Sequence, residues 1–511
     1  MATSRTYLFG KHRPTGLFGK RDLGEQAVLG AGAALGILGG YAFSAVTFLA
    51  VLGLLGPIAV AAVVVYAPYR PKGSQSRRTL YRWWRIMAHR RRTLHRTTGG
   101  VWVSPAPEAG VRAVNGRPPD AALTGPDGMN GMTWLPAKVR GQDVTVVLQP
   151  QSRCMTATLE VTSPGLAGKD QDEQAAALHR WRELLDAFGN TAESPIKRVQ
   201  VLARQLKSDP EAHQRFLDAR DTSACTANVP RWLKDSYGAL AQAVSTSAEE
   251  HRYYVTIHAA YTRDVAADAA DRGKGDEGLA AVMAASVEEL WSRCEDAELS
   301  VIAPLDEARL TAFIRNSYDP DHPIWDTDLP RQHAFPRNVD IRDGRHLAAR
   351  AAGSTGCWYH ATAAVVAWPS TPVGPSFLSP LLIGMPDVVR TFAITQDLEP
   401  NDEAVGRMLA EDTNNRAEMH RDAQKGKNID PRDMVARDAT ASRGLELARS
   451  GAAGAAVVGY LTVSARTATE LERVKRTAAS RARSALLRIE WLNLEQARAF
   501  ANTLPFAGGI R

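Results

Sequence analysis

The chain has 511 residues, with 62 Lys and Arg against 55 Asp and Glu, for a formal net charge of +7. That length leaves room for membrane helices plus two or three soluble domains. Its four cysteines, Cys154, Cys225, Cys294 and Cys357, lie too far apart for zinc-site or CxxC spacing, which excludes a cysteine-framed scaffold and argues for reduced, partly buried thiols.

Residues 1–25 are polar and Gly-rich and hold two look-alike phrases, LFGKHRPTG and LFGKRDLG. They are expected to form a cytoplasmic N-terminal segment, amphipathic or extended, near the lipid headgroups. Residues 26–69 contain no charged side chain. One crossing needs about 20 apolar residues, and this run is about twice that long, so it predicts a transmembrane hairpin over 26–69. Its spans fall at roughly 26–45 and 49–67, with a short external turn near Ser44–Thr47. Lys11, Arg13, Lys20 and Arg21 precede the run; Arg70, Lys72, Arg77, Arg78 and further arginines follow it. Basic flanks stay on the cytoplasmic side, which predicts a multi-pass protein of the cell inner (plasma) membrane with both termini cytoplasmic. A cleaved signal peptide fits worse, because the run is too long and its far side is basic. Gly32, Gly36 and Gly40 recur every fourth residue, a spacing that lets a second helix approach closely. That helix is either the other span of the hairpin or a separate chain.

Residues 70–130 read as a basic juxtamembrane segment and linker. Arg77, Arg78, Arg82, Trp83, Trp84, Arg85, Arg90, Arg91 and Arg92 are the candidate membrane and lipid contacts. Arginines interleaved with aromatics suit an interfacial helix on anionic lipid. Nucleic acid is the alternative partner for the same pattern. Residues 97–130 are rich in Gly, Pro and Asp and predict irregular structure.

The remainder divides into two similar α/β units, 131–330 and 331–511. YYVTIHAAY (253–261) alternates like a strand, and a helical pattern, a strand LSVIAP (299–304) and a helix DEARLTAFIRNSY (306–318) follow. VVGYLTVSA (457–465), ATELERVKRTAASRARS (468–484), ALLRIEWL (485–492) and NLEQARAFANTLPF (493–506) repeat that order. Upstream, 196–219 parallels 387–410 and 154–165 parallels 358–374, although the helix expected at Asp170–Gly189 has a Pro/Ser/Gly loop as its counterpart. The seam, 317–337, is rich in Pro and Asp. The expected fold is therefore an α+β or α/β membrane protein, in which a two-helix transmembrane hairpin precedes two cytoplasmic α/β units made by tandem duplication.

Catalytic signatures are missing from the sequence. The lysines preceded by Gly are Lys11, Lys20, Lys169, Lys274 and Lys427, and none sits in a P-loop; GxSxG, HExxH and EF-hand patterns do not occur. Asp319, Asp321, His322, Asp326 and Asp328 form an acidic cluster without the Gly turn of a calcium loop, and read as a solvated linker. Cys357 and His360 are close in sequence but fall at a strand start, three apart, so packing is the expected role. Glu418, His420 and Asp422 read as a solvated helix face or partner surface. No catalytic, cofactor or metal residue is expected.

The N-terminal RTYLFGKHRPTGLFG, the apolar hairpin and the Arg-rich exit resemble the two-helix inner-membrane subunit of type IV secretion systems, and the whole resembles an actinobacterial family of integral membrane proteins of conjugation-like type IV loci. DVTVVLQ (143–149), WYHATAAVVAW (358–368), DVVRTFAITQDLEP (387–400) and the closing 481–510 look like the non-ATPase N-terminal region of the assembly ATPase sometimes fused to that subunit. The resemblance implies a non-enzymatic scaffold, part of a multi-subunit complex, that docks a separate secretion ATPase or coupling protein; the motor itself is expected to be missing. The alternatives are a membrane component of a type VII system and a membrane-associated enzyme.

Overall fold

The computed structural model describes residues 23–42, 47–69, 78–104, 122–207, 229–424 and 445–508, apart from breaks at 96, 98, 124, 127–128, 130, 150–151, 164, 166–168, 192–193, 352–353, 355, 370–372 and 507. Helices α1 (Leu23–Ala42) and α2 (Thr47–Tyr66) come first. The short strands β1 (Pro68–Tyr69) and β2 (Arg78–Thr79) lead into α3 (Leu80–His95), followed by β3 (Val101–Val103), β4 (Ala122–Leu123), β5 (Met132–Val139), β6 (Gln142–Gln149) and β7 (Cys154–Thr162). Then come α4 (Gln171–Gly189), β8 (Ile196–Lys207), α5 (Arg231–Ser247), β9 (Glu249–Ala260), α6 (Arg263–Arg272), α7 (Asp276–Asp296), β10 (Ser300–Pro304) and α8 (Glu307–Tyr318). The chain closes with β11 (Asn338–Asp340), β12 (Leu347–Arg350), β13 (Trp358–Ala367), α9 (Ser379–Leu382), β14 (Val389–Glu399), α10 (Asn401–Gln424), β15 (Gly454–Ala465), α11 (Ala468–Ser484), β16 (Arg488–Trp491) and α12 (Gln496–Ala501).

Two expectations are corrected here. The first is the pair of membrane crossings. Among the described residues, α2 alone is long and apolar enough to cross a membrane. Helix α1 holds six glycines and five alanines in twenty residues and carries Glu25 in its first turn, which dilutes its apolarity below what a crossing needs. The multi-pass inner-membrane placement with both termini cytoplasmic rested on two such helices and does not follow. The expected turn at Ser44–Thr47 lies outside the described residues except for Thr47.

The second correction concerns the two α/β units. Among the described residues, both halves belong to one 14-stranded sheet, ordered β3-β11-β12-β13-β15-β14-β8-β9-β7-β6-β5-β4, with β10 on β7 and β16 on β13. Every pair is antiparallel. Apart from α5, inserted between β8 and β9, and with α6 and α7 together as the second crossover, the first half has the β-α-β-β-α-β connectivity of a split βαβ unit, with the strands in space as β10-β7-β9-β8. Beyond β8 the order continues as β14-β15-β13-β16, with α9, a single turn, where the first half has α4. The halves join edge to edge through the β8–β14 ladder, from Arg390 opposite Gln205 to Asp397 opposite Arg198, and the Arg198 side chain pairs with Asp397. Sheet pairing thus removes the edge on which a separate unit would have ended.

Alternation along each strand splits the core into layers. On β9, Val255, Ile257 and Ala259 meet the helical layer of α4 and α7, where Leu184, Phe188, Met283, Val287 and Leu290 are buried. Tyr254 points to the opposite face. There α8 and α12 meet, with Phe313, Ile314, Tyr318, Phe500 and Leu504 in a core that also takes Leu202 from β8 and Val389, Ala393 and Tyr460 from the second half. Helix α11 covers the second half with Leu471, Val474, Ala478 and Ala482. The closing residues cross the junction: Gln200 Nε2 donates to the Asn502 carbonyl at 2.9 Å, Thr395 Oγ1 to the Gly508 carbonyl at 3.1 Å, and Leu504 and Phe506 are buried. The β5–β6 hairpin turns on Arg140 and Gly141, both at positive φ, the geometry of a two-residue primed turn.

Candidate membrane-facing surface

Helices α1 and α2 pack antiparallel through glycine. A Cβ on Gly32 would sit 2.4 Å from the Ala61 Cβ, one on Gly36 2.4 Å from the Leu54 carbonyl, and one on Gly40 3.3 Å from the Leu54 Cβ. Gly39 and Gly53 meet backbone to backbone. The small-residue stripe is therefore occupied by the neighbouring helix of the same chain, and side chains such as Leu52, Leu55, Val60 and Val63 of α2 point outward, exposed.

Helix α3 is keyed to this pair and to the sheet body. Glu25, buried, accepts from Arg82 Nε at 3.3 Å and from Thr79 Oγ1 at 3.4 Å, which ties α1 to the start of α3. Trp83 is buried and donates its indole N–H to the Tyr69 carbonyl at 3.1 Å. Arg78 donates to Glu490 at 3.0 Å and to Glu495 at 3.2 Å, so β2 is pinned to β16 and to the start of α12. Arg78 also lies over the Trp83 ring at 5.8 Å. Arg90 donates to the Arg342 carbonyl at 2.7 Å.

The predicted contact residues thus separate. Arg78 and Arg90 hold the helix to the body, Trp83 holds it to β1, and Arg82 holds it to α1. Trp84, Arg85, Arg91 and Arg92 are exposed. Arg77 lies outside the described residues. Sequence reasoning missed the anchoring partners Glu25, Thr79, Glu490 and Glu495. Only Glu25, the acid immediately before the uncharged run, carried a local signal.

The other constellations are structural. His360 is fully buried; its Nε2 lies 3.1 Å from the Tyr318 carbonyl and its Nδ1 2.8 Å from Ser464 Oγ. A carbonyl only accepts, so Nε2 carries the hydrogen and Nδ1 accepts from the serine. Burial pushes the imidazole down to about 3, which keeps it neutral. Cys357 Sγ donates to the Ala349 carbonyl at 3.3 Å and does not engage His360; burial pushes its thiol up. Arg204 donates to Asn316 Oδ1, the Asn316 carbonyl and Thr391 Oγ1, each at 2.7 Å, and desolvation lowers it to about 10.

Within the acidic seam, Asp319 pairs with Arg315 at 3.6 Å, His322 with Asp326 at 3.7 Å, and Asp321 with Arg466 and the Trp358 indole. Asp328 donates its backbone N–H to Asp326 at 3.1 Å. Among the described residues no group of three or more His, Cys, Asp or Glu could hold a metal ion. A shallow groove is lined by Thr162, Ser163, Glu295, Glu298, Leu299 and Ser300, and its acids are engaged: Glu295 with Arg140 at 2.7 Å and Glu298 with Arg180 at 2.6 Å. The side chains of Glu418, His420 and Asp422 lie outside the described residues.

Compared with known families and with curated proteins, the chain matches no family model and no curated sequence.

Proposed function

We propose that this chain is a membrane-attached, non-catalytic platform of a type IV-like secretion or conjugation apparatus, on which a separate ATPase or coupling protein docks. The observation that carries this reading is mechanical. Helix α1, packed on the apolar α2, is joined to the basic helix α3 by Glu25–Arg82, and β2, which leads into α3, is joined to the sheet body by Arg78–Glu490–Glu495. A body held this way turns one apolar helix into a fixed mounting for a broad folded surface. The buried ionisable groups His360, Arg204 and Arg390 are committed to internal bonds, as a load-transmitting fold requires.

The test is affinity purification of the tagged full chain from its native host in mild detergent, with identification of what accompanies it. A P-loop ATPase of the type IV kind in stoichiometric amount supports the platform. A partner with several ATPase domains in one chain points instead to a type VII assembly. A preparation free of any ATPase across a series of detergents overturns the reading.

A further inference from the structure

Helix α3 carries a second face that none of its anchoring contacts uses. At 100° per residue, Trp83, Ile86 and Arg90 share one side, where Trp83 bonds to β1 and Arg90 to the sheet body. Arg91, Trp84, His95, Arg92 and Arg85 spread over the far arc of the helix, about 80° to 200° round from Trp83, and all five are exposed. Tyr81 stacks on Trp84 with ring centroids 6.2 Å apart, so the outward stripe begins with an aromatic pair and ends in cations at the helix C-terminus. Among the described residues Arg91 and Arg92 have no ion pair.

We infer that this outward face binds the headgroups of anionic phospholipids, with Arg91 and Arg92 on phosphate and Trp84 seated at the level of the glycerol backbone. Two observations select lipid as the occupant. The first is continuity: α3 packs against α2, the helix long and apolar enough to cross a membrane, through β1 and the Trp83–Tyr69 bond, so the stripe starts where a membrane surface would be. The second is complementarity. Guanidinium groups pair bidentately with phosphate, and an exposed Trp84 stacked on the half-buried Tyr81 suits the boundary between headgroup and acyl chain. The inner face meanwhile stays locked to β16 and α12, so headgroup binding sets the orientation of the sheet relative to the bilayer. This inference rests on the membrane attachment in the platform reading, and not on the ATPase.

The full chain, purified in neutral detergent, is offered phosphatidylglycerol or phosphatidylcholine in equal amounts, and bound lipid is counted by native mass spectrometry. Preferential retention of phosphatidylglycerol is expected. Each basic side chain near an anionic surface strengthens binding about five-fold, so R91A/R92A lowers that retention roughly twenty-five-fold. R91K/R92K keeps most of it, since the charge remains. Both positions are exposed, and unchanged thermal unfolding of R91A/R92A will separate lost binding from lost fold. Equal retention of the two lipids, or retention unaffected by R91A/R92A, overturns the inference. So does displacement of the phosphatidylglycerol by an equal charge of single-stranded DNA, which would make the stripe a nucleic-acid surface. Lipid selectivity in a chain that recovers no ATPase would leave this inference standing and remove only the platform.

Discussion

Arg78, on the two-residue strand that precedes the basic helix, reaches across 412 positions of sequence to Glu490 on β16, at 3.0 Å. Glu495 closes the same fork at 3.2 Å. All three side chains are about one-fifth exposed, so solvent screens the pairs. R78A is expected to destabilise the chain by only about 1–2 kcal/mol, while freeing α3 from the body. Hydrogen exchange separates the two effects. Backbone amides of 80–95 should exchange faster in R78A with those of β14 and β15 unchanged; unchanged exchange over 80–95 would remove the fork as the link.

Arg390 is the most consequential buried charge. It donates to the carbonyls of Leu381, Met385 and Val388 at 3.0–3.1 Å and pairs with Glu249 at 3.0 Å, so it satisfies the end of the one-turn helix α9 and joins the two halves. R390M strands a buried carboxylate and orphans those carbonyls, and should cost about 3–5 kcal/mol in urea unfolding. R390M/E249L should cost less than the sum of the single variants. Simple additivity would show that the two side chains act independently.

His360 gives acid sensitivity a sign. Its folded value near 3 lies below the unfolded 6.5, so the unfolded chain binds the extra proton between those values. The stabilisation is complete above pH 6.5 and is lost as pH falls toward 3, with a slope of up to about 1.4 kcal/mol per pH unit from this one group. Burial also lowers His251, His322, His333 and His346, and each adds to the same trend. H360Q should flatten the stability–pH curve between pH 4 and 6 by about one proton's worth. An unaltered curve would place the acid sensitivity elsewhere.

The glycine seam separates contact from composition. Gly39 touches the Gly53 backbone, whereas a Cβ on Gly30 meets nothing within 4 Å. In detergent, G39L should lower the stability of the α1–α2 pair by about 1–3 kcal/mol through overpacking, and G30L should leave it within about 0.5 kcal/mol. Equal effects would mean that helix propensity alone decides.

Much of the body was legible locally. The alternation in 253–261 falls in β9, that of 457–465 in β15, and the amphipathic stripe of Leu471, Val474, Ala478 and Ala482 covers the sheet as α11. The candidate surface was half legible: arginines and tryptophans marked α3, but nothing in 77–92 distinguishes Arg78 and Arg90, which face the body, from Arg91 and Arg92, which face out. That distinction depends on Glu490, Glu495 and Arg342, more than 250 residues away.

By itself the sequence determined where the apolar run lies, that its flanks are basic, and which short segments are strands or helices, because side-chain periodicity and charge are properties of neighbours in the chain. Only the tertiary structure decided that β8 pairs with β14, so that two apparent units share one sheet, and that residues 502–508 cross their junction. It likewise decided that α1 serves as a packing partner of α2. A strand carries unpaired N–H and C=O groups on both edges, and its sequence says only that they must be paired, not with what.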